Sequence, residues 1–558
     1  MVARHSRSKL GDSSLRSEQA PDEAQRSRSL PYEGRGTFYE VVKPDGGYMN
    51  IGEWISKRAL LYPENLFLRE EDGREFNNDE FDRRVNRMAH ALSELGIVKG
   101  ERVAALMLNS SEFLEIFFAC GKTGAIMVPV NFRLAVPELL YILLDCNPRT
   151  LIYSSDFDEK IRVIKAAGIP ISHYFRHGGD NLSEDPSITD LISQLPVDEP
   201  VPAKEITLDD PLFIMYTSGT TGDPKGAVLS HGNILFGAIH SLVGYGISKS
   251  YKSLVVAPLF HIGALAASAV PVIYAGGSLI LKSFYNASEV IKLIVQEKIN
   301  YMFAVPVMFQ MMTKSEEWDK ADFSHVHFFI SGGAPIPIPM IRKYQEEKGV
   351  GFVQGYGLTE TGRLTSLDLE DSIRKAGSVG KEVFHIQLRI VDQNDGDVTF
   401  GEPGEIVVRG PNVFIRYWNK PKETVEAMRN GWFHTGDMGR RDEEGFIYVI
   451  GRKQELIISS GENIYPAEVE RVIQTLSQVR EAAAVGMPDP IRGEVVAAFV
   501  VLHEAQSLTE GDLINALQGQ IAHFKIPKRI FFVNDFPRNT TGKILIKELK
   551  KQLTKEEI

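Results

Sequence analysis

Cysteine is scarce in this sequence of 558 residues, which contains only Cys120 and Cys146. Two cysteines are too few for a disulfide framework or a cysteine-rich zinc site, and they fit a reducing compartment. The N-terminal segment also lacks the apolar core of a secretory signal, and its interspersed acids are atypical of a transit peptide. We therefore expect a cytoplasmic protein.

Positive charge is not in excess either. The sequence has 62 lysines and arginines against 73 aspartates and glutamates, which gives a formal net charge of -11. A nucleic-acid-binding protein normally carries a basic domain or a basic stripe on one face. The composition therefore predicts no nucleic-acid partner.

A long uninterrupted apolar run is the third missing feature. A helix that spans a bilayer needs about 20 consecutive apolar residues. The longest nearly uncharged stretch, residues 253–281, is divided by prolines and glycines into pieces of strand and helix length. The sequence thus predicts no transmembrane segment and leaves peripheral membrane contact open.

What the sequence does contain is an alternation of helix and strand patterns. From Phe81, apolar residues recur at helical spacing through Val85 and Leu92 and stop near Gly96, a glycine suited to a helix C-terminus. A strand pattern, a helix pattern and a further strand pattern follow, at 102–108, 111–125 and 126–130. This alternation predicts an α/β fold with parallel sheets covered by helices.

Three segments depart from that pattern. Residues 1–37 are rich in Ser, Arg and acids with few apolar positions, which predicts a disordered tail. After about residue 380 the segments become shorter and β-rich. A small α+β unit is predicted to begin near Gly451, and its first helix opens at Pro466.

The segment 216–226, Tyr-Thr-Ser-Gly-Thr-Thr-Gly-Asp-Pro-Lys-Gly, is predicted to hold phosphate groups. Glycines let the backbone approach a polyanion, hydroxyls and amides donate hydrogen bonds, and Lys225 supplies a positive charge. The segment follows a buried strand pattern at 211–215, so it should lie at a strand end, where α/β sheets bind ligands. It is not a Walker A loop, because Gly226 follows the lysine where Ser or Thr is required.

Further motifs follow in a fixed order: 354–360 (Gln-Gly-Tyr-Gly-Leu-Thr-Glu), 432–437 (Trp-Phe-His-Thr-Gly-Asp), 451–466 (Gly-Arg-Lys-Gln-Glu-Leu-Ile-Ile-Ser-Ser-Gly-Glu-Asn-Ile-Tyr-Pro) and 537–543 (Pro-Arg-Asn-Thr-Thr-Gly-Lys). With the loop at 216–226, they closely resemble the core motifs of the adenylate-forming superfamily, which includes acyl-CoA synthetases, peptide-synthetase adenylation domains and luciferases. The resemblance covers roughly residues 50 to 550.

The resemblance implies a division of the chain and a reaction. An N-terminal AMP-binding domain would span 38–450, with a hinge at 451–454 and a small mobile C-terminal α+β domain at 455–558. A carboxylic acid would react with ATP to give acyl-AMP and pyrophosphate, and a thiol would then displace AMP. ATP, Mg2+ and CoA are the implied cofactors and co-substrates.

The resemblance also implies residue roles. Lys543 would be the catalytic lysine of adenylation, together with Thr359, Glu360 and Lys225, and Thr217 and Glu360 would hold Mg2+. Tyr356 would stack on adenine, while Asp437 and Arg452 would contact the ribose. The full set of nucleotide-binding residues comprises Thr217, Ser218, Gly219, Thr220, Thr221, Gly222, Lys225, Gly333, Ala334, Pro335, Gln354, Gly355, Tyr356, Gly357, Thr359, Asp437, Arg452 and Lys543.

The thioester step is implied to use a second face of the C-terminal domain. Family members rotate this domain so that a loop, here Ser459, Ser460, Gly461 and Glu462, lines a pantetheine tunnel. Ser460 stands where many relatives carry glycine. The hinge residue is Gln454, where Asp or Lys is usual, and we expect the domain rotation to survive this change.

The acid pocket is expected around His261, Ile262, Val305, Gly332 and Gly333, by analogy with relatives. These residues are mostly small or apolar, which favours a hydrophobic acid, and we expect a fatty acid of medium or longer chain with CoA as acceptor. The alternatives are an aryl-CoA ligase of benzoate or coumarate type, acyl transfer to a carrier protein, a luciferase-like oxidation, and a catalytically silent nucleotide-binding scaffold.

Overall fold

The computed structural model describes residues 50–179, 184–217, 224–334, 336–459, 462–489, 492–521, 523–538 and 542–555. All of them belong to one compact unit, Tyr48–Ile558. The tail predicted at 1–37 lies outside the described residues. So do the following predicted site residues: Ser218, Gly219, Thr220, Thr221, Gly222, Pro335, Ser460 and Gly461.

The strands are β1 (Leu66–Glu70), β2 (Glu75–Asn77), β3 (Arg102–Leu106), β4 (Ile126–Pro129), β5 (Thr150–Ser154), β6 (His173–His177), β7 (Pro211–Thr217), β8 (Lys225–Ser230), β9 (Lys252–Val255), β10 (Ser278–Leu281), β11 (Tyr301–Ala304), β12 (Phe328–Ser331), β13 (Phe352–Gln354), β14 (Gly357–Leu358), β15 (Gly362–Arg363), β16 (Thr365–Ser366), β17 (Lys381–Glu382), β18 (Gln387–Val391), β19 (Gly404–Arg409), β20 (Arg416–Tyr417), β21 (Met428–Arg429), β22 (Trp432–Arg441), β23 (Ile447–Arg452), β24 (Ile457–Ser459), β25 (Glu462–Ile464), β26 (Val479–Asp489), β27 (Gly493–Leu502) and β28 (Arg529–Phe532).

The helices are α1 (Glu53–Leu61), α2 (Asn78–Glu94), α3 (Ser111–Thr123), α4 (Val136–Cys146), α5 (Asp158–Ala166), α6 (Ile188–Ser193), α7 (His231–Tyr245), α8 (Ile262–Ala264), α9 (Val270–Ala275), α10 (Ala287–Gln296), α11 (Pro306–Met312), α12 (Ile338–Lys348), α13 (Pro421–Ala427), α14 (Pro466–Ile473), α15 (Glu510–Leu517) and α16 (Ile546–Lys555). A π-helical turn, Leu265–Ala269, joins α8 to α9, and 3-10 turns occur at Ser155–Phe157, Leu369–Asp371, Lys453–Glu455 and His523–Lys525.

Two seven-stranded sheets form the large part of the molecule. One has the order β13-β12-β11-β9-β10-β1-β2, and every pair in it is parallel except β1 with β2. The other has the order β20-β8-β7-β4-β3-β5-β6, with β7, β8 and β20 paired antiparallel. Helices cover these sheets, so the predicted α/β class with parallel sheets is confirmed.

The predicted early helices and strands are also confirmed, and their ends follow local chemistry. Helix α2 begins after Asn77, whose side chain accepts from the Glu80 amide while Glu80 bonds back to the Asn77 amide. Helix α3 ends at Gly124, whose φ of 76° is a conformation that glycine adopts without strain. Its buried face carries Phe117, which stacks on Phe213 of β7.

The β-rich texture predicted after residue 380 corresponds to a separate sheet. Strands β18, β19, β22 and β21 pair in that order, and β23 pairs with β22. In the register of the last pair, Asp437 lies opposite Arg452. This sheet therefore brings two predicted ribose-binding residues together.

The C-terminal part of the chain forms a five-stranded sheet. Its order is β25-β24-β27-β26, with β28 parallel to β27, and α14 packs against β26. Apolar clusters lie on its two faces, one around Val469 and Val496 and the other around Phe499 and Leu549. The domain boundaries proposed from the sequence remain predictions.

A buried carboxyl in this C-terminal sheet gives a test of the packing. Glu470 accepts a hydrogen bond from the Ala484 amide at 2.8 Å, and burial raises its pKa from 4.5 to about 7. The folded state thus favours the protonated form, so its stabilising contribution is complete below pH 4.5 and is lost as the pH rises through 7.

Glu470→Gln keeps the acceptor and removes the titration. We expect the variant to exceed the parent in free energy of unfolding by up to roughly 3 kcal/mol at pH 8, with the difference vanishing at pH 4.5. Denaturant titrations followed by circular dichroism measure this. Glu504→Gln, on an exposed loop, is the control, and an equal response of the two variants would contradict the assignment.

Candidate active site

The carboxyl ends of three neighbouring parallel strands define one edge of the first sheet. Ala304 of β11 lies opposite Ser331 of β12, which lies opposite Gln354 of β13. The predicted pocket and nucleotide residues Val305, Gly332, Gly333, Ala334, Gly355 and Tyr356 follow directly after these strands. The topology therefore gathers them at one edge, as parallel sheets do with ligand sites.

The hairpin β14–β15 follows Tyr356 and carries Thr359 and Glu360 in its turn. Its two strands approach so closely that an added Cβ on Gly357 would lie 1.8 Å from the carbonyl oxygen of Gly362. Position 357 therefore requires glycine. The hairpin is held to the sheet by the Leu364 amide, which donates to the Tyr356 carbonyl at 2.8 Å.

Tyr356, Asp437 and Arg452 form one hydrogen-bonded group. The Tyr356 hydroxyl donates to Asp437 Oδ2 at 2.6 Å, and Arg452 Nε lies 2.7 Å from Asp437 Oδ1. Each carboxylate oxygen can accept more than one hydrogen bond, so Asp437 keeps acceptor capacity for a ligand. The contact also fixes the ring of Tyr356, which a stacking role would require.

The two predicted site carboxyls are buried, and burial raises the pKa of both Asp437 and Glu360. Arg452 opposes this effect at each of them, because its positive charge favours the ionised form. Lys543 also lowers the pKa of Asp437, so its charge reaches the group around Tyr356. The C-terminal loop is thereby near the predicted nucleotide site.

Glu360 is held by an aromatic residue from a distant part of the chain. The Tyr417 hydroxyl donates to Glu360 Oε1 at 2.7 Å, and the Phe414 amide donates to the Glu360 carbonyl at 2.7 Å. Tyr417 belongs to β20, which pairs with β8 of the second sheet. Glu360 thus connects the edge of one sheet to the edge of the other.

The two ends of the predicted phosphate loop lie beside this connection. Thr217 and Lys225 are partners in the β7–β8 ladder, and Thr217 Oγ1 donates to the Lys225 carbonyl at 3.4 Å. Lys225 Nζ lies 5.3 Å from the ring centre of Tyr417. The loop ends and Glu360 therefore share Tyr417 as a neighbour, which agrees with a common site for phosphates.

The predicted acid pocket is apolar at its described positions. Burial lowers the pKa of His261 to about 4, with a smaller contribution from Arg133, so this imidazole is neutral near pH 7. The ring of Phe303 lies 3.2 Å from where a Cβ on Gly263 or on Gly332 would stand. A flat aromatic surface thus lies between two positions that carry no side chain.

The predicted hinge begins beside a second buried carboxylate. Glu405 is 2.8 Å from Lys453, 3.2 Å from Arg429 and 3.3 Å from His434. These partners lower the pKa of Glu405 against the effect of its burial. Lys453 is therefore anchored to the β-rich sheet, and Gln454 follows it in the 3-10 turn Lys453–Glu455.

The predicted CoA-tunnel loop lies between β24 and β25. Ser459 is buried and pairs with Glu462 in one strand and with Gly493 in another. The loop therefore belongs to the C-terminal sheet, apart from the group around Tyr356 in sequence and in sheet. Its function remains a prediction.

Family models match both parts of the chain. The AMP-binding enzyme model matches residues 55–418, and the model of the AMP-binding enzyme C-terminal domain matches residues 468–543. The chain belongs to the AMP-binding enzymes. Its family resemblance and its activity class, an AMP-forming acid–CoA ligase that works through an acyl-adenylate, are thereby confirmed together with the relatives described next.

Relatives cover nearly the whole chain at similar identity. Feruloyl-CoA synthase of Amycolatopsis sp is 37% identical, over 90% of this chain and 99% of the relative. A long-chain-fatty-acid–CoA ligase of Mycobacterium tuberculosis is also 37% identical, over 90% and 98%. Indoleacetate–CoA ligase of Aromatoleum aromaticum is 36% identical, over 89% and 96%. These relatives agree on the reaction and differ in the acid.

Solved structures give the same result. ATP-bound MatB from Rhodopseudomonas palustris superimposes with a TM-score of 0.83 at 30% identity, over 90% of this chain and 99% of that one. The anthranilate CoA ligase AuaEII in complex with anthranoyl-AMP gives 0.84 at 27% identity, over 92% and 98%.

Two further observations bear on the ligands of this AMP-binding enzyme. None of the helices in the described part of the chain combines the length and apolar character of a membrane span. Among the same residues, no group of three or more His, Cys, Asp and Glu side chains is arranged to hold a metal ion. The proposed pair Thr217 and Glu360 would need ATP phosphates and water to complete the shell of Mg2+, which commonly uses only one or two carboxylates.

Sequence reasoning missed several residues at this site. Tyr417 and Glu405 lie outside the motifs, and Phe303 lies within an apolar strand pattern. The buried Ser331 Oγ and Gln354 Nε2 have no hydrogen-bond partner among the described atoms, although they lie side by side at the strand ends. Only strand register could have indicated Ser331, because a single serine in a strand has no distinctive pattern.

The contact between Tyr417 and Glu360 gives a stability prediction. Tyr417→Phe leaves a buried carboxyl oxygen without its donor, which should lower the free energy of unfolding by about 1–3 kcal/mol. Urea denaturation followed by tryptophan fluorescence measures this. Tyr62→Phe is the matched control, because the exposed Tyr62 should change stability by no more than about 0.5 kcal/mol. Equal effects in the two variants would refute a stabilising role for the contact.

Proposed function

We propose that this acid–CoA ligase activates a hydrophobic acid with a compact aryl body. The observation that supports this most is the ring of Phe303 beside the side-chain-free positions Gly263 and Gly332, which offers a flat apolar surface to a planar acid. The neutral His261 at the pocket adds no charge. The sequence favoured a medium- or long-chain fatty acid, and that remains the second candidate, supported by the apolar pocket and the fatty-acid relative.

The nucleotide would bind along the edge formed by β12, β13 and β14. Tyr356, whose hydroxyl is held by Asp437, would stack on adenine, and Asp437 would accept from the ribose hydroxyls beside Arg452. The unpartnered Ser331 Oγ and Gln354 Nε2 are polar groups that a nucleotide could satisfy.

The phosphates would extend from the ribose toward the ends of the loop at 216–226. Lys225 would contact the β and γ phosphates, and Thr359 the α phosphate. Thr217 and Glu360 would hold Mg2+, which supplies positive charge that neutralises the phosphates and the departing pyrophosphate. The raised pKa of the buried Glu360 fits a carboxylate that needs a cationic partner in order to stay ionised.

In the first step an oxygen of the acid attacks the α-phosphorus, and the bond to the β-phosphate oxygen breaks. Lys543 would stabilise the charge that develops between the carboxylate and the α-phosphate. In the second step the CoA thiol attacks the acyl carbon and AMP leaves. For this step the C-terminal domain would turn about Gln454 and bring Ser459 to Glu462 to the site.

An acid panel tests the activity. We expect pyrophosphate release with ATP, and AMP and thioester formation when CoA is added, with cinnamate or benzoate derivatives preferred over octanoate and palmitate. Preference for palmitate would instead favour the fatty-acid candidate. Thioester formation only with a carrier protein would reassign the acceptor, and silence across a broad panel would support a nucleotide-binding scaffold.

The role of Lys543 gives a separate prediction. Lys543→Ala should lower the rate of pyrophosphate release by about 100-fold, because a positioned charge is lost from the transition state of adenylation. Transfer of preformed acyl-AMP to CoA should stay near the parent rate. Lys547→Ala, an exposed lysine four positions further on, is the control. Equal loss of both half-reactions would refute a role confined to adenylation.

A further inference from the structure

Arg363 is a charged side chain directed into the interior beside the acid pocket. It ends the hairpin β14–β15, opposite Gly357 in the register. Its carbonyl accepts from Asn412 Nδ2 at 3.0 Å, which fixes its backbone. The same hairpin carries Glu360 in its turn, so Arg363 is held to the frame of the nucleotide site.

The arginine lies between the sheet and helix α7. A Cβ on Gly355 would stand 3.4 Å from its Cδ, and a Cβ on Gly244 would stand 2.9 Å from its Nη2. Its guanidinium carbon lies 3.9 Å from the ring centre of Tyr245, and Nη2 donates to the His240 carbonyl. Glycine at 244 therefore leaves the space that the guanidinium fills.

Most of the hydrogen-bonding capacity of this guanidinium is unused. Nε and Nη1 of Arg363 are buried and have no acceptor among the described atoms, and no described carboxylate forms an ion pair with it. Arginine stays charged at any pH at which proteins fold. A buried charge without a counter-charge is costly, so a built site of this kind calls for an anion.

The neighbours of Arg363 also present unused polar atoms. The Tyr245 hydroxyl and His240 Nδ1 have no partner in the described part of the chain. His240 Nε2 lies 3.1 Å from His385 Nδ1, so His240 can carry its proton on Nδ1 and donate. Burial, and then the charge of Arg363, lower the pKa of His240 to about 4, so the imidazole is neutral near pH 7.

This group borders the acid pocket. Strand β15 packs against α8, which begins after His261, and against the turn Leu265–Ala269. A Cβ on Gly332 would be 3.4 Å from the carbonyl of Gly355, the residue that also contacts the Arg363 stem. The guanidinium thus lies one layer beyond the pocket floor formed by Phe303.

We propose that Arg363 binds a carboxylate at the far end of the acid substrate, with the Tyr245 hydroxyl and the His240 imidazole as additional donors. The substrate would then be a compact diacid, activated at one carboxyl and held by the other. This inference rests on the proposed function, since it assigns the distal end of the same acid. Charge-assisted hydrogen bonds to a desolvated guanidinium are among the stronger polar contacts, which makes the group able to select its substrate.

Matched acids test the assignment. The panel is 4-carboxycinnamate, 4-methylcinnamate, 4-hydroxycinnamate, octanedioate and octanoate, each assayed for ATP-dependent pyrophosphate release. For the full chain we expect kcat/KM to be at least about tenfold higher for 4-carboxycinnamate than for 4-methylcinnamate, mainly through KM. Octanedioate should exceed octanoate in the same direction. A ratio near one in each pair, or a preference for 4-hydroxycinnamate, overturns the proposal without any variant.

Variants locate the effect. Arg363→Met keeps the length and apolar stem and should remove the preference for 4-carboxycinnamate by raising its KM, while 4-methylcinnamate is used as before or better. Arg363→Lys should retain part of the preference. Arg374→Met, which changes a surface arginine paired with Asp371, should leave the ratio unchanged. An unchanged ratio in Arg363→Met overturns the proposal, whereas absence of pyrophosphate release with every acid overturns the proposed function as well.

Discussion

The contact of Asp437 with Tyr356 and Arg452 is the interaction on which the arrangement of the site depends. Tyr356 follows the first sheet, Asp437 belongs to the β-rich sheet, and Arg452 ends the strand that leads into the predicted hinge. Three parts of the chain therefore meet at one carboxylate. Since this carboxylate is buried, losing either partner would leave a charge without compensation, and the three parts are held in one geometry.

Tyr417 makes a second connection of the same kind between the two large sheets. Its hydroxyl bonds to Glu360 on the hairpin of one sheet, while its strand pairs with β8 of the other and its ring lies beside Lys225. Carboxylates and cations from different sheets are thus brought within reach of one another before any ligand binds. A preorganised polar site needs little rearrangement during the reaction, which is the main source of electrostatic catalysis.

The sequence predicted the α/β class and the motif residues, because helical and strand periodicity and ordered glycine-rich motifs are local properties. It predicted that Tyr356, Asp437 and Arg452 act together only through the family resemblance. Tyr417 and Arg363 could not be found in this way, because their importance arises from strand register and from the packing of α7 against β15. Burial of a charged side chain becomes visible only once the elements that surround it are assembled.

The hairpin β14–β15 couples the two choices that the enzyme has to make. Its turn carries Glu360, directed toward the phosphate loop, and its last residue, Arg363, extends toward the acid pocket. The close backbone approach at Gly357 leaves little freedom between them. An acid that shifted Arg363 would therefore also strain the position of Glu360. Selection of the acid and alignment of the nucleotide are for this reason properties of one rigid element, and differences among relatives in the acid they use can arise there without altering the adenylation chemistry.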